Sequence, residues 1–128
     1  MRMVSMPKLN KSQELLDFEI AFYEQLLKEH PAFADALVAL GEAYTRRGQH
    51  EKGLAVDQRL IELKAQDPVI WYNLACSYSL LTRLDDAMTA LRRAIELGYD
   101  DFIYLKRDPD LRLLRQSPQF KQFLETLA

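Results

Sequence analysis

Residues 71–81 read WYNLACSYSLL, an aromatic and apolar run inside a chain of 128 residues of which 28% are charged. Three readings are open for it: a buried strand, a catalytic segment around the single cysteine, or one unit of something repeated. An internal period decides between them, because self-similarity at about 20–50 residues marks stacked-repeat architectures. Laying ALVALGEAYTRRGQHEKGLAVDQRLIEL (36–63) over VIWYNLACSYSLLTRLDDAMTALRRAIEL (69–97) pairs Leu37 with Trp71, Leu40 with Leu74, Gly41 with Ala75 and Tyr44 with Tyr78. The same 34-residue offset pairs Gly53 with Ala87 and Leu60 with Ala94. The run is therefore one copy of a repeat.

Each copy carries two apolar stripes at helical spacing. The first has Leu37-Leu40-Gly41-Tyr44 and then Leu54, Leu60 and Ile61, with a turn near Gly48; the second has Trp71-Leu74-Ala75-Tyr78 and then Leu84, Ala87, Leu91, Ala94 and Ile95. Small residues at Gly41, Ala75, Ala87 and Ala94 suit places where two helices approach closely. Asp67-Pro68 reads as an N-cap with proline at the first helical position, and Gly98 as a C-terminal stop.

Upstream, SQELLDFEIAFYEQLLKEHP (12–31) predicts a helix with Leu15, Leu16, Ile20, Tyr23, Leu26 and Leu27 on one broad stripe and Ser12 as its N-cap. In repeat register its later part equals the second helix of a preceding unit that lacks its first. A terminal cap with a polar outer face is the expectation, because an unstacked end otherwise exposes its apolar side. Downstream, Asp108-Pro109 and Ser117-Pro118 predict two short helices, the second carrying Phe120, Phe123, Leu124 and Leu127.

These features resemble the tetratricopeptide repeat family, whose 34-residue signature runs through a large apolar residue, Leu-Gly, Tyr, a small residue, an aromatic and another small residue. Here it is carried by Leu37, Leu40-Gly41, Tyr44 and Gly53, and again by Trp71, Leu74-Ala75, Tyr78, Ala87, Leu91 and Ala94. The first copy departs from the pattern where Asp57 and Leu60 replace the usual aromatic and small residue. The tail is similar to the DPDL…LR…P.F ending found on such arrays in bacterial proteins. The resemblance implies an all-α fold of about seven or eight helices, a short right-handed superhelix of the α-α solenoid kind. We expect a flexible N-terminus over 1–11 and one domain over 12–128. Within it, 12–31 forms the N-terminal helix, 34–67 and 68–101 the two repeats, and 102–128 the capping helices.

Composition narrows the function. The formal net charge is −2, from 17 basic and 19 acidic residues mixed along the chain. Nucleic acid is not an expected partner, since phosphate neutralisation needs a clustered basic face. Cys76 is the only cysteine, so no intramolecular disulfide can form and a reducing compartment fits. MRMVSMPKLNKSQ has no apolar core of signal-peptide length, and no run reaches membrane-span length, so the expectation is a soluble cytoplasmic protein with no membrane partner. Met1, Met3 and Met6 leave the natural start open.

No residue set reads as an active site, metal site or cofactor site. Cys76 has no histidine in its own repeat and reads as a small, soft helix residue. His30 and His50 read as solvated helix-end residues, too separated to share a metal. Asp85-Asp86 and Asp100-Asp101 stand at helix starts, where exposed N–H groups favour negative charge. Asp57 replaces a packed aromatic. Its carboxylate either turns to solvent in a frayed repeat or takes a donor such as Trp71 or a tyrosine hydroxyl.

In the tetratricopeptide family the first helix of each repeat lines a concave groove. Carried onto this chain, the resemblance implies a wall of Asp35, Val38, Ala39, Glu42, Thr45 and Arg46, continued by Val69, Tyr72, Asn73, Cys76, Ser79 and Leu80. Tyr72 is expected to offer an apolar face and Asn73 a hydrogen-bonding amide, with Arg46 and Glu42 fixing charge register. Some members clamp a chaperone peptide's C-terminal carboxylate with lysine and asparagine. Here Val38 and Glu42 occupy two of those positions and only Asn73 matches, which argues against that ligand. The expected function is an adaptor or scaffold that holds a peptide or helix of an unidentified protein in the groove. The alternative is a self-associating module forming homo-oligomers through its terminal helices, and an enzyme built on Cys76 is the third reading.

Overall fold

The computed structural model describes residues 11–127, so the expected flexible segment and the candidate starts Met1, Met3 and Met6 lie outside the described residues, as does the side chain of Leu127. The chain runs α1 (Lys11–Glu29), α2 (Ala34–Arg47), α3 (His50–Leu63), α4 (Pro68–Leu80), α5 (Leu84–Glu96), α6 (Phe102–Leu105), a 3₁₀ turn (Pro109–Leu111), α7 (Arg112–Arg115) and α8 (Pro118–Leu127). The fold is all-α, an array of antiparallel helical hairpins with no strand among the described residues.

The caps sit where the sequence puts them. Asp67 accepts a hydrogen bond from the Val69 N–H at 2.9 Å, with Pro68 opening α4. Gly48, at φ 84°, ends α2, and the Gln49 N–H returns to the Tyr44 carbonyl at 2.8 Å. Gly98, at φ 113°, follows α5 in the same left-handed conformation. Asp108 caps the 3₁₀ turn through the Asp110 N–H at 2.9 Å, and Ser117 caps α8 through the Phe120 N–H at 3.2 Å. Ser12 is not a cap: α1 already runs from Lys11 and Ser12 lies in its first turn.

Packing follows the small-residue pattern. Ala75, Ala87 and Ala94 are fully buried, as is Leu91, and this lets α4 and α5 meet closely. In the first hairpin a Cβ on Gly41 would stand 3.4 Å from the side chains of Asp57 and Val56. Leu60, also buried, fills the space that Ala94 leaves to neighbours in the second hairpin. Each such leucine contributes about 1.5–3 kcal/mol by leaving water.

The two ends behave differently. At the C-terminal end, Leu105, Leu111, Leu114 and Phe120 join the core around Tyr72, Leu74 and Ala75, so the last segments close over α4. At the N-terminal end, α1 packs Leu16, Ile20, Tyr23 and Leu27 against the α2 side of the core. Its broad stripe is in fact two faces. Leu15 belongs to the other one with Phe18 and Phe22, residues 3 and 7 positions further on, and the three are 63%, 71% and 55% exposed. The expected polar outer face is thus replaced by an apolar one. The physical reason is register: α1 corresponds to the second helix of a hairpin, and the side that none of the described helices covers is where a first helix would pack.

Candidate functional site

A cleft of about 290 Å³ opens between α2 and α4, with α3 as its floor and the α6–3₁₀ segment as its far wall. Helical spacing places Val38, Glu42, Thr45 and Arg46 on one side and Tyr72, Asn73 and Cys76 on the other, each set three or four residues apart or adjacent. Asp57 and Ser77 lie at the floor, and Tyr104, Asp108 and Asp110 complete the wall. Of the residues expected in the groove, Asp35, Ala39, Val69, Ser79 and Leu80 fall outside the cleft. Asp35 and Val69 are exposed near the starts of α2 and α4. Ser79 is fully buried beneath the C-terminal segment, its Oγ accepting from the Leu114 N–H at 3.3 Å. That segment covers the last turn of α4, which an extrapolation from open arrays leaves free.

Tyr72 is also placed differently from the expectation of a free aromatic face. It is 5% exposed, stacks on Tyr99 with ring centroids 4.2 Å apart, and donates its hydroxyl to Asp108 Oδ2 at 2.6 Å. Burial, reinforced by Cys76 and Asp108, pushes that phenol far above its ordinary range. Cys76 Sγ lies 3.7 Å from the same carboxylate oxygen. Burial first, then the charges of Asp108 and Asp110, push the Cys76 thiol well up, so it is held protonated, the opposite of a nucleophile's environment. Cys76, Asp108 and Asp110 bring one ligand atom each within 4.8 Å of one another. As metal ligands they fit poorly, since Asp108 is already taken by Tyr72 and a backbone N–H and the thiol is disfavoured as thiolate.

Asp57 is neither solvent-turned nor paired with an aromatic. It is 6% exposed and accepts a short hydrogen bond from Ser77 Oγ, while its Oδ1 has no hydrogen-bond partner among the described residues. Burial raises its carboxyl to about 6 against the Ser77 hydrogen bond, which lowers it. The donors expected for it are used elsewhere: Trp71 Nε1 donates to the Ala65 carbonyl at 2.8 Å, and the Tyr44 and Tyr72 hydroxyls donate to Glu24 at 2.7 Å and to Asp108 at 2.6 Å. Nor is His50 simply solvated. It is half-buried at the start of α3 with Nδ1 unpartnered among the described residues. Burial and Asp108 raise the Asp110 carboxyl, with His50 opposing the rise.

The lining therefore carries four carboxyl groups, Glu42, Asp57, Asp108 and Asp110, against the one cation Arg46. Arg46 is itself engaged outside, 3.2 Å from Glu19 of α1. Asp108, Asp110 and Tyr104 were invisible as groove residues in the sequence. Asp108-Pro109 signals a cap, and nothing local shows that the capping carboxylate also faces α4.

The tetratricopeptide repeat profile matches residues 68–98, which span α4 and α5. A chloroplastic protein of Arabidopsis thaliana is 32% identical over 101 residues, covering 77% of this chain and 30% of that protein. The chain thus spans about a third of the length of the curated relative it matches. None of the described helices is long and apolar enough to cross a membrane. With two hairpins in 34-residue register and a profile match on the second, the chain is similar to the tetratricopeptide repeat family.

Proposed function

We propose that residues 12–128 act as one adaptor or scaffold unit that holds a peptide or helix of a partner protein against the cleft between α2 and α4. Tetratricopeptide repeats are in general protein-interaction modules, and the observation that carries the reading here is convergence. Val38, Glu42 and Arg46 of one hairpin and Asn73 and Cys76 of the next share a single concave lining. Asn73 is half-buried in that lining, so its amide can be reached from the cleft. A buried, unpaired Cys76 suits a reducing, cytoplasm-like compartment.

The test is a selection from a random dodecapeptide display library on the full chain, followed by titration of the winners against wild type and Asn73→Trp, which plugs the cleft. Binders that Asn73→Trp abolishes support the reading. Equal binding by the variant moves recognition to another surface and overturns it.

A second reading, homo-oligomerisation through α1, is favoured by the exposed face Leu15-Phe18-Phe22.

A further inference from the structure

The proposed function leaves the chemistry of the bound segment open, and the lining of the cleft narrows it. We infer that the cleft receives a basic side chain, arginine before lysine, from an extended segment of the partner polypeptide; this rests on the groove-binding reading above. The first ground is charge. Glu42, Asp57, Asp108 and Asp110 line the cleft, and all four ion pairs among the described residues lie elsewhere: Arg46–Glu19, Arg47–Asp17, Arg59–Glu62 and Arg93–Glu96. Arg46 in the lining is drawn to Glu19 and His50 acts on Asp110 alone, so the cleft keeps an excess of carboxyl groups.

The second ground is the state of Asp57. More than nine-tenths buried at the cleft floor, it accepts one hydrogen bond, from Ser77, and keeps Oδ1 without a donor among the described residues. Oδ1 keeps accessible surface although the residue as a whole is buried, so a donor from a bound segment can reach it through the cleft. Burial lifts its carboxyl to about 6, and a cation placed beside Oδ1 reverses that rise by favouring the ionised form.

Size and shape select the cation. At about 290 Å³ the cleft is at the small end of ligand pockets, room for one side chain rather than a cofactor. A guanidinium presents five donors in a planar fork, which suits several carboxylates converging from different directions better than a single ammonium does. Tyr104, 46% exposed at the wall, offers a ring face on which that plane can stack. Asp108 is the least available of the four, since Tyr72 and the Asp110 N–H already occupy it. Glu42, Asp57 and Asp110 are the expected contacts.

The test uses the dodecapeptides whose binding Asn73→Trp abolishes. Each basic residue in them is replaced in turn by citrulline, a neutral near-isostere of arginine, and affinities are measured on wild type, Asp57→Asn and Glu42→Gln, with helicity checked by circular dichroism. We expect one basic position at which citrulline weakens binding at least about tenfold, as loss of a desolvated charge pair does. The citrulline and Asp57→Asn losses should be strongly non-additive, because a structural effect of Asp57 alone leaves them independent. Groove-dependent peptides without a critical basic residue, or additive losses, overturn this inference while groove binding stands. A library that yields no binder sensitive to Asn73→Trp overturns both.

Discussion

Asp57 shows how one residue can weaken the fold that holds it. Its carboxyl titrates near 6 in the folded chain against an ordinary 3.8, so the folded state binds the extra proton between those values. The contribution to stability is therefore intact below pH 3.8 and is lost as pH rises to 6, by on the order of 3 kcal/mol. Asp57→Asn keeps an acceptor for Ser77 and removes the charge. It should raise stability at pH 7 by about 1–2 kcal/mol and flatten the difference in stability between pH 4 and 6, measured by urea unfolding at each pH. A variant less stable than wild type at pH 7 would show that another group, outside the hydrogen-bond pattern seen here, supports the carboxylate. Cys76 makes a simpler case. With the thiol buried and its ionisation disfavoured, reaction with a disulfide reagent at pH 8 should be at least about 100-fold slower in the folded chain than in urea. Rapid labelling of the folded chain would restore the nucleophile reading. Asp57 was legible in the sequence as an odd residue. Its partner Ser77 was not, because which face of α4 meets α3 depends on packing that periodicity alone leaves open.

The hairpins were legible as elements because their punctuation is chemical. Asp67-Pro68, Gly48 and Gly98 dictate caps and left-handed turns whatever the tertiary context. The two hairpin turns differ, though, in a way that the alignment itself displays: 34 positions after Gly48 stands Thr82, at φ 60°. A β-branched residue in that region is strained, typically by about 1–2 kcal/mol, whereas glycine is not. The Thr82 hydroxyl bonds only the neighbouring Leu81 carbonyl at 2.6 Å and ties nothing distant. Thr82→Gly should therefore stabilise the chain by about 0.5–1 kcal/mol, the relief of strain exceeding glycine's greater freedom in the unfolded chain. The reverse change, Gly48→Thr, should cost about 1–2 kcal/mol. Urea midpoints of the two variants at constant m-value check both signs, and a destabilised Thr82→Gly would mean that the threonine holds this turn by something other than its backbone. What the sequence did not show at this scale was the reach of the C-terminal segment. Its caps were readable from Asp108-Pro109 and Ser117-Pro118, but its closure over Tyr72 and Ser79 is a long-range contact without a local signature.

At the scale of the molecule, the two ends set how it meets others. Phe120 of α8 turns into the core and is 2% exposed, while α1 presents Leu15, Phe18 and Phe22 to solvent. Self-association through that face can be bounded. Three large side chains from each of two copies, already partly covered, would contribute about 6–12 kcal/mol in leaving water. Association itself costs about 4–15 kcal/mol, so pairing of two α1 helices cannot be tighter than micromolar. The arrangement would be isologous, each Phe18 meeting the same patch of the other copy. The expectation is a reversible dimer in sedimentation velocity as the concentration rises toward about 100 µM, abolished by Phe18→Glu with Phe22→Glu. Phe18 is 71% exposed and Phe22 touches the core side only through its edge contact with Tyr23, so helicity should hold and the urea midpoint should fall only slightly in the double variant. Because the face lies on α1 and the cleft between α2 and α4, dodecapeptide affinity should be the same for monomer and dimer. A chain that remains monomeric at that concentration removes self-association, and the apolar face of α1 then becomes a surface for a first helix supplied by other polypeptide.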